Sequence, residues 1–289
     1  PSNPSQATTL STRMDRTKRR SQDPVCNTRR CHPTIRCDRH QATPRSHRNL
    51  PLLSQSSVNT MLVSLGSLAA TQTKGTEKTM QAITHLLDYA ATHPDAAIRY
   101  HKSHMILYVH SDASYLSEPR ARSRVGGYFY LGNANEPADN PKPNGPIHVE
   151  ARILKNIMAA ASEAEIAGTF HNGQETVHIR QILAELGRPQ TQPTQMTVDN
   201  STADGFTNKL LKIKRSKAID MRFYWVQDRV ERGDFGVRWG SGKTNHGDYF
   251  TKHHSPSHHV AVRPTYLYTG NYACRLCACT ECSGHEANL

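Results

Sequence analysis

The stretch Met105-Ile106-Leu107-Tyr108-Val109-His110-Ser111-Asp112-Ala113-Ser114 is a compact apolar run that ends in Ser-Asp. It reads as a buried strand over Met105–His110 that delivers a carboxylate, Asp112, to its end. Two more strands follow. Val125–Leu131 contains Gly126-Gly127-Tyr128-Phe129-Tyr130, and Ile147–Ile153 alternates apolar and polar residues. The Pro- and Asn-rich residues 133–146 between them read as a long hairpin loop. Three successive strands predict an antiparallel meander.

Downstream the texture becomes mixed. Ser162–Gly187 reads as one long helix, broken or frayed near Gly173, with Ser162 as N-cap. Glu165 stands three residues on, as in a capping box, and Gly187 with Pro189 supplies the stop. Gln195–Asp199 is a fourth strand and Asn200–Asn208 a short helix. Beyond the basic link Lys212-Ile213-Lys214-Arg215, Lys217–Arg232 carries Ile219, Phe223, Val226 and Val230 on one helical face. Gly233 ends that helix, Phe235–Trp239 forms a fifth strand, and Asp248 opens a last short helix. Strands separated by helices add in parallel, so the order predicts an α/β domain with a mixed five-stranded sheet and flanking helices.

Upstream, Met61–Ala70 is a short apolar helix. Thr76–Thr92 places Met80, Ile83, Leu86, Leu87 and Ala90 on one face before Pro94. Helices of this kind need another surface to pack on, either the domain that follows or one outside this stretch. Residues 1–51 are rich in Arg, Ser, Thr, Pro and Gln without apolar periodicity, the composition of a disordered basic arm. The expected organisation is therefore 1–51 arm, 52–100 helical extension, 101–262 α/β domain and 263–289 Cys-rich tail.

The chain carries a formal net charge of +12, which points to a polyanionic partner. Most of that charge is in the arm: residues 1–50 hold 11 Lys or Arg against 3 Asp, leaving +4 for the rest. No apolar run approaches the roughly 18 to 20 residues of a membrane span, and no secretory signal is present, so a soluble intracellular protein is expected with no membrane partner. The seven cysteines fall into two terminal clusters, which argues against a disulfide framework in the core. Cys274, Cys277, Cys279 and Cys282, followed by His285, offer soft ligands for a tetrahedral Zn²⁺. Their spacing is equally that of a tail that scavenges zinc incidentally. Cys26, Cys31, Cys37 and His40 fit no metal spacing, and His253-His254 and His258-His259 read as a surface segment.

Four acids stand in distinct local settings: Asp112 at a strand end, Glu165 near the start of the long helix, Asp199 after the fourth strand and Asp248 at the last helix. Alone, each would more often cap a helix or sit in water. Brought to one sheet edge, four hard oxygen donors suit two Mg²⁺ ions about 3.5 to 4 Å apart, the arrangement that hydrolyses phosphodiesters.

Ser111-Asp112-Ala113-Ser114-Tyr115, Gly127-Tyr128-Phe129, Ser162-Glu163-Ala164-Glu165, Val198-Asp199-Asn200-Ser201-Thr202-Ala203, Arg215-Ser216-Lys217-Ala218-Ile219-Asp220-Met221-Arg222 and Asp248-Tyr249-Phe250-Thr251-Lys252 occur in this order. Together they resemble the ribonuclease H domain of copia-type LTR retrotransposons, over about residues 104–260. Residues 52–100 resemble the stretch that joins the reverse-transcriptase thumb to that domain. The resemblance implies a ribonuclease H fold and two Mg²⁺ ions, with Mn²⁺ as a substitute. It implies cleavage of the RNA strand of RNA–DNA hybrids beside the polymerase domain of the same polyprotein, in the cytoplasm, a virus-like particle or the nucleus. It carries over Asp112 as the metal-bridging aspartate, with Glu165, Asp199 and Asp248 as the other metal ligands.

Glu163 competes with Glu165, which is preferred because Ile166-Ala167-Gly168 aligns better with the superfamily's catalytic helix. His246 is an accessory candidate, either a loop histidine acting in product release or a solvated one. Asn200, Ser201 and Thr202 either touch the hybrid minor groove or cap a helix. Arg215, Lys217 and Arg222 either meet phosphates or form a solvated face. No polymerase motif precedes residue 52, so no polymerase activity is expected, and the chain reads as the tail of a longer polyprotein. Two rivals stand. One is a degenerate, inactive nucleic-acid-binding domain. The other is a strand-transferring enzyme of the integrase or transposase class, which the placement of Asp248 and of the first-helix glutamate disfavours.

Overall fold

The computed structural model describes residues 59–94, 96–134, 143–210 and 223–268. The basic arm, the Cys-rich tail with its zinc candidates, and Arg215, Lys217 and Arg222 lie outside the described residues.

Five strands form one sheet: β1 (Ile106–Glu118), β2 (Arg122–Gly132), β3 (Pro146–Ile153), β4 (Thr194–Val198) and β5 (Phe235–Trp239). Their spatial order is β3-β2-β1-β4-β5. β1 pairs antiparallel with β2, and β2 with β3; β4 lies parallel to β1, and β5 to β4. The helices are α1 (Leu62–Ala70), α2 (Glu77–Thr92), α3 (Ala161–Glu185), α4 (Ser201–Thr207), α5 (Tyr224–Glu231) and α6 (Pro256–Tyr266). An antiparallel meander extended by two parallel strands, with the long helix after β3, is the ribonuclease H-like fold.

β1 is longer than its apolar run because both faces and both edges are used. Leu107, Val109 and Ala113 belong to a core cluster with Ile166, Ala167 and Phe170 of α3 and with Phe206, Phe223 and Val226. Tyr108 belongs to the opposite cluster, with Tyr128, Tyr130, Leu62, Phe250 and Tyr266. The period of two along the strand sorts these residues between the faces. Asp112 therefore lies within the strand, opposite Gly126.

The Gly126-Gly127 pair in β2 has a steric cause. A Cβ on Gly126 would collide with the carbonyl oxygen of Gly247 and lie 2.7 Å from Thr251 Cγ2; one on Gly127 would collide with the Asn172 amide of α3. The two glycines let chain approach the sheet from both sides beside Asp112.

α3 departs from expectation at two points. It is continuous through Gly173, where a Cβ would sit 2.9 Å from the Phe235 ring, so the glycine admits close packing and does not break the helix. The expected capping box is absent: Ala160 is the N-cap with no side-chain bond, and Ser162 lies inside the first turn. Glu163 accepts the Ala159 N–H instead, at 2.6 Å, which leaves Glu165 free to point elsewhere.

The helical extension is tied to the sheet. Arg124 of β2, fully buried, pairs with Glu118 at 2.6 Å and donates to Ala151 O at 3.2 Å and to Ser67 Oγ of α1 at 2.9 Å. A buried guanidinium with these partners is compensated, whereas loss of one partner would strand it. α2 starts with a capping box between Thr76 and Thr79 but has no fully buried residue. Its Ala82, Leu86 and Tyr89 border a groove shared with α1 and Tyr249. α6 was not expected as a helix. Ser255 caps it, Pro256 opens it, and it runs past residue 262, so the expected tail boundary falls inside a helix. Of the two histidine doublets, His253 and His258 are exposed, while His254 and His259 are half-buried against Tyr249. Among the described residues no helix is long and apolar enough to cross a membrane.

Gly126→Ala is expected to lower the unfolding free energy by about 2 kcal/mol or more, because its clash is with backbone. Gly236→Ala, where no atom lies within 4 Å of the added Cβ, should leave stability unchanged or raise it by roughly 0.5 kcal/mol. Urea denaturation of the two variants beside the parent chain checks the contrast.

Candidate active site

The parallel pairing of β1 with β4 brings the first two acids together. His110 lies opposite Thr197, so Asp112 and Asp199, each two residues further on, leave the ladder side by side. α3 crosses the same sheet end, and Gly168 packs against it: a Cβ there would lie 3.2 Å from Ala113 Cβ and 3.3 Å from Asp112 O. One turn earlier, Glu165 faces inward. One carboxylate oxygen each from Asp112, Glu165 and Asp199 lie within 4.8 Å of one another.

Asp248 arrives by the segment after β5. Gly240 N–H donates to Val198 O at 2.8 Å, and the Asn245 amide donates to Ser111 O at 2.9 Å, which binds the segment beneath the sheet end. Asp248 then opens the short 3₁₀ turn Asp248–Phe250. It stands outside the close group of three, paired with Lys252 at 2.5 Å, yet its charge acts on all three of the other acids.

The electrostatics are those of acids forced together out of water. Burial, and then the charges of Asp112 and Asp199, push the Glu165 carboxyl up to about 9. Burial and the neighbouring Asp199 raise Asp112 to about 7, against the opposing effect of the Thr251 hydroxyl, which donates to Asp112 Oδ2 at 2.8 Å. Burial and Asp248 raise Asp199 as well. Partial burial disfavours the Lys252 ammonium, but its bond to Asp248 outweighs this and raises its pKa. The cluster thus carries more negative charge than nearby cations offset. Hard oxygen donors in that condition suit divalent cations such as Mg²⁺.

The remaining candidates separate clearly. Glu163 is outside the cluster, its carboxylate engaged by the Ala159 N–H. Asn200 is the N-cap of α4, its Oδ1 accepting from Thr202 at 2.9 Å and Ala203 at 3.2 Å; its carbonyl oxygen is committed to the helix. Ser201 is exposed at the first position of α4, beside Asp199. His246 is half-buried in a turn. Its ring stacks on His110 at 4.8 Å and packs against Tyr128 and Tyr266. Burial lowers its pKa to about 4.

The sequence reading gave no role to Thr251, Lys252 or Asn172. Thr251 and Lys252 belong to the Asp248–Lys252 segment, but nothing local marks them as partners of Asp112 and Asp248. Asn172, fully buried, donates to Ser111 Oγ at 2.8 Å and Gly126 O at 2.9 Å, locking α3 to the site strands. A polar residue amid Phe170 and Gly173 was its only signal.

No protein-family model matches the chain. It is 26% identical over 179 residues to the retrovirus-related Pol polyprotein from transposon RE1 of Arabidopsis thaliana, covering 61% of this chain and 12% of that protein. It is 23% identical over 172 residues to the retrovirus-related Pol polyprotein from transposon TNT 1-94 of Nicotiana tabacum, covering 60% and 12%. The chain thus spans about an eighth of the length of the curated relatives it matches. Among solved structures, the RNase H1 LC11, isolated from compost, matches 51% of this chain and 93% of its own at 9% identity, with a TM-score of 0.38. RNase H1 from the halophilic archaeon Halobacterium salinarum matches 50% and 93% at 10% identity, with a TM-score of 0.33. Over 172 to 179 residues the chain is thus similar to the retrovirus-related Pol polyproteins of plant transposons.

Proposed function

We propose that this domain hydrolyses the RNA strand of RNA–DNA hybrids, as the ribonuclease H part of a retrotransposon polyprotein that also carries a polymerase domain. The observation that carries the reading is the convergence of Asp112, Glu165 and Asp199 within 4.8 Å at one sheet end, with Asp248 alongside. Their donor chemistry fits two Mg²⁺ ions, or Mn²⁺ in their place, held by the four carboxylates. When bound, the ions supply Lewis acidity and a water that ionises near neutral pH.

The chain's own residues do the rest. Thr251 fixes one oxygen of Asp112, leaving the other directed by the strand. Lys252 balances Asp248 and limits its repulsion of the central acids. Asn200 anchors the start of α4 and so presents Ser201 beside Asp199, where a hydroxyl can reach a ribose 2′-hydroxyl and tell RNA from DNA. On the resemblance alone, Arg215, Lys217 and Arg222 are assigned phosphate contacts, which position a substrate without reading its sequence.

The test is cleavage of an end-labelled RNA–DNA hybrid with Mg²⁺. The RNA strand is expected to be cut, with Asp199→Asn reduced at least about 100-fold, since it removes a charge that the metal ions require, and with duplex DNA untouched. A folded protein that binds the hybrid but leaves it intact would establish the inactive, binding-only alternative.

The acid cluster also sets a pH dependence of stability. The Glu165 carboxyl titrates at about 9 in the folded state, far above the usual carboxylate range. Between roughly pH 4.5 and 9 the folded protein holds a proton that the unfolded chain has released, so stability falls as pH rises through that window. In chelator, the melting temperature should decline from pH 5 to pH 9. Glu165→Gln should flatten the decline, and Mg²⁺ should raise the melting temperature most at the alkaline end. Thermal melts across this series check both signs.

A further inference from the structure

Trp239 ends β5, an edge strand of the sheet, and is 53% exposed. An indole so open is ordinarily free to turn. This one is fixed, because its Nε1–H donates to the main-chain oxygen of Asp199 at 3.0 Å. The bond holds a flat aromatic face in solvent beside one of the clustered acids.

Its neighbours in sequence carry positive charge. Arg238 precedes it and Lys243 lies in the 3₁₀ turn Gly242–Thr244; both are exposed, and neither forms an ion pair among the described residues. The turn is pressed against the same acid: a Cβ on Gly242 would lie 2.9 Å from Asp199 Oδ2. The segment from Trp239 to Gly242 thus passes beside Asp199, with the exposed Arg238 at its start and the exposed Lys243 just beyond it. The chain's other tryptophan, Trp225, is packed against Phe170 and Phe235 and covered by Arg229.

We propose that Trp239, flanked by Arg238 and Lys243, is a contact platform for the nucleic-acid strand that runs past the acid cluster. In a paired duplex the base faces are stacked away, so the indole packs on the sugar of the nucleotide next to the one presented to the acids. The two cations meet its flanking phosphates. Aromatic and cationic side chains alternating along a strand path give sequence-tolerant binding of this kind. The proposal rests on the nuclease reading for its substrate, and adds three residues that set how that substrate is held.

The test uses the full chain in chelator, with a labelled RNA–DNA hybrid followed by anisotropy and tryptophan emission recorded in parallel. Hybrid is expected to quench the emission of the parent chain and not that of Trp239→Phe, whose signal comes from Trp225 alone. Trp239→Ala should weaken binding roughly tenfold, and Trp239→Phe, which keeps a ring, by less than about threefold. Replacing Arg238 and Lys243 by Gln should reduce the salt dependence of binding by about two phosphate contacts.

Equal quenching in Trp239→Phe, or unchanged affinity in Trp239→Ala, overturns the platform. So does a Trp239→Ala protein that binds normally but turns over poorly in Mg²⁺ at saturating hybrid, since that is the mark of a residue that only positions Asp199. If the quench and affinity shifts appear but RNA is never cut, the platform stands and the nuclease reading falls. If RNA is cut and the Trp239 variants are silent, the platform falls alone. If no hybrid binds, both fall.

Discussion

The structure depends on the double pairing of its central strand. β1 is held antiparallel by β2 along one edge and parallel by β4 along the other. The antiparallel edge is long and includes Asp112, whereas the parallel edge stops at His110 and Thr197. That difference in length opens a gap at the end of β4, and the gap is where Asp112 and Asp199 meet. A sheet with β4 extended by three residues would fill the site with backbone hydrogen bonds.

Around that gap the domain tolerates an arrangement that opposes its own stability. Three carboxylates are withdrawn from water and placed within 4.8 Å of one another, and each responds by holding its proton more tightly. Neutral polar contacts keep the elements in place in spite of this. Asn172, Asn245 and Thr251 tie α3, the segment after β5 and β1 into one unit through Ser111, Gly126 and Asp112. The Asn172 and Asn245 tethers join uncharged groups and stay constant while the cluster titrates, whereas the Thr251 bond ends on Asp112, itself one of the acids.

Much of the frame was legible in the chain. The strand at Phe235–Trp239 has the bounds the residues indicate, because apolar runs and β-α alternation are local signals with global consequences. Ser162 misled because the Ser-x-x-Glu spacing is a capping box only if the glutamate has nothing better to do. Glu165 instead turns inward, and Glu163 serves the helix start. Gly173 misled for a related reason: glycine lowers helix propensity, but here the Phe235 ring requires its small size. His246 does lie in a turn, but nothing near it in sequence reveals its packing on His110 and Tyr128 in space. α6 was hidden by its histidines and by Pro264, although Ser255-Pro256 is a sound start signal. The roles of Thr251 and Lys252 exist only through partners brought by the fold.

The tether from Thr251 to Asp112 spans 139 residues, and that from Asn245 to Ser111 spans 134. Contacts so distant along the chain form late, because the loop between their ends must be closed first. During synthesis, the meander of β1, β2 and β3 can pair as soon as it leaves the ribosome, long before the segment bearing Asp248 exists. Of the acids, Asp248 is therefore the last to arrive, followed only by α6. A nascent chain stalled or cleaved before residue 248 would hold a largely formed sheet and an unfinished centre.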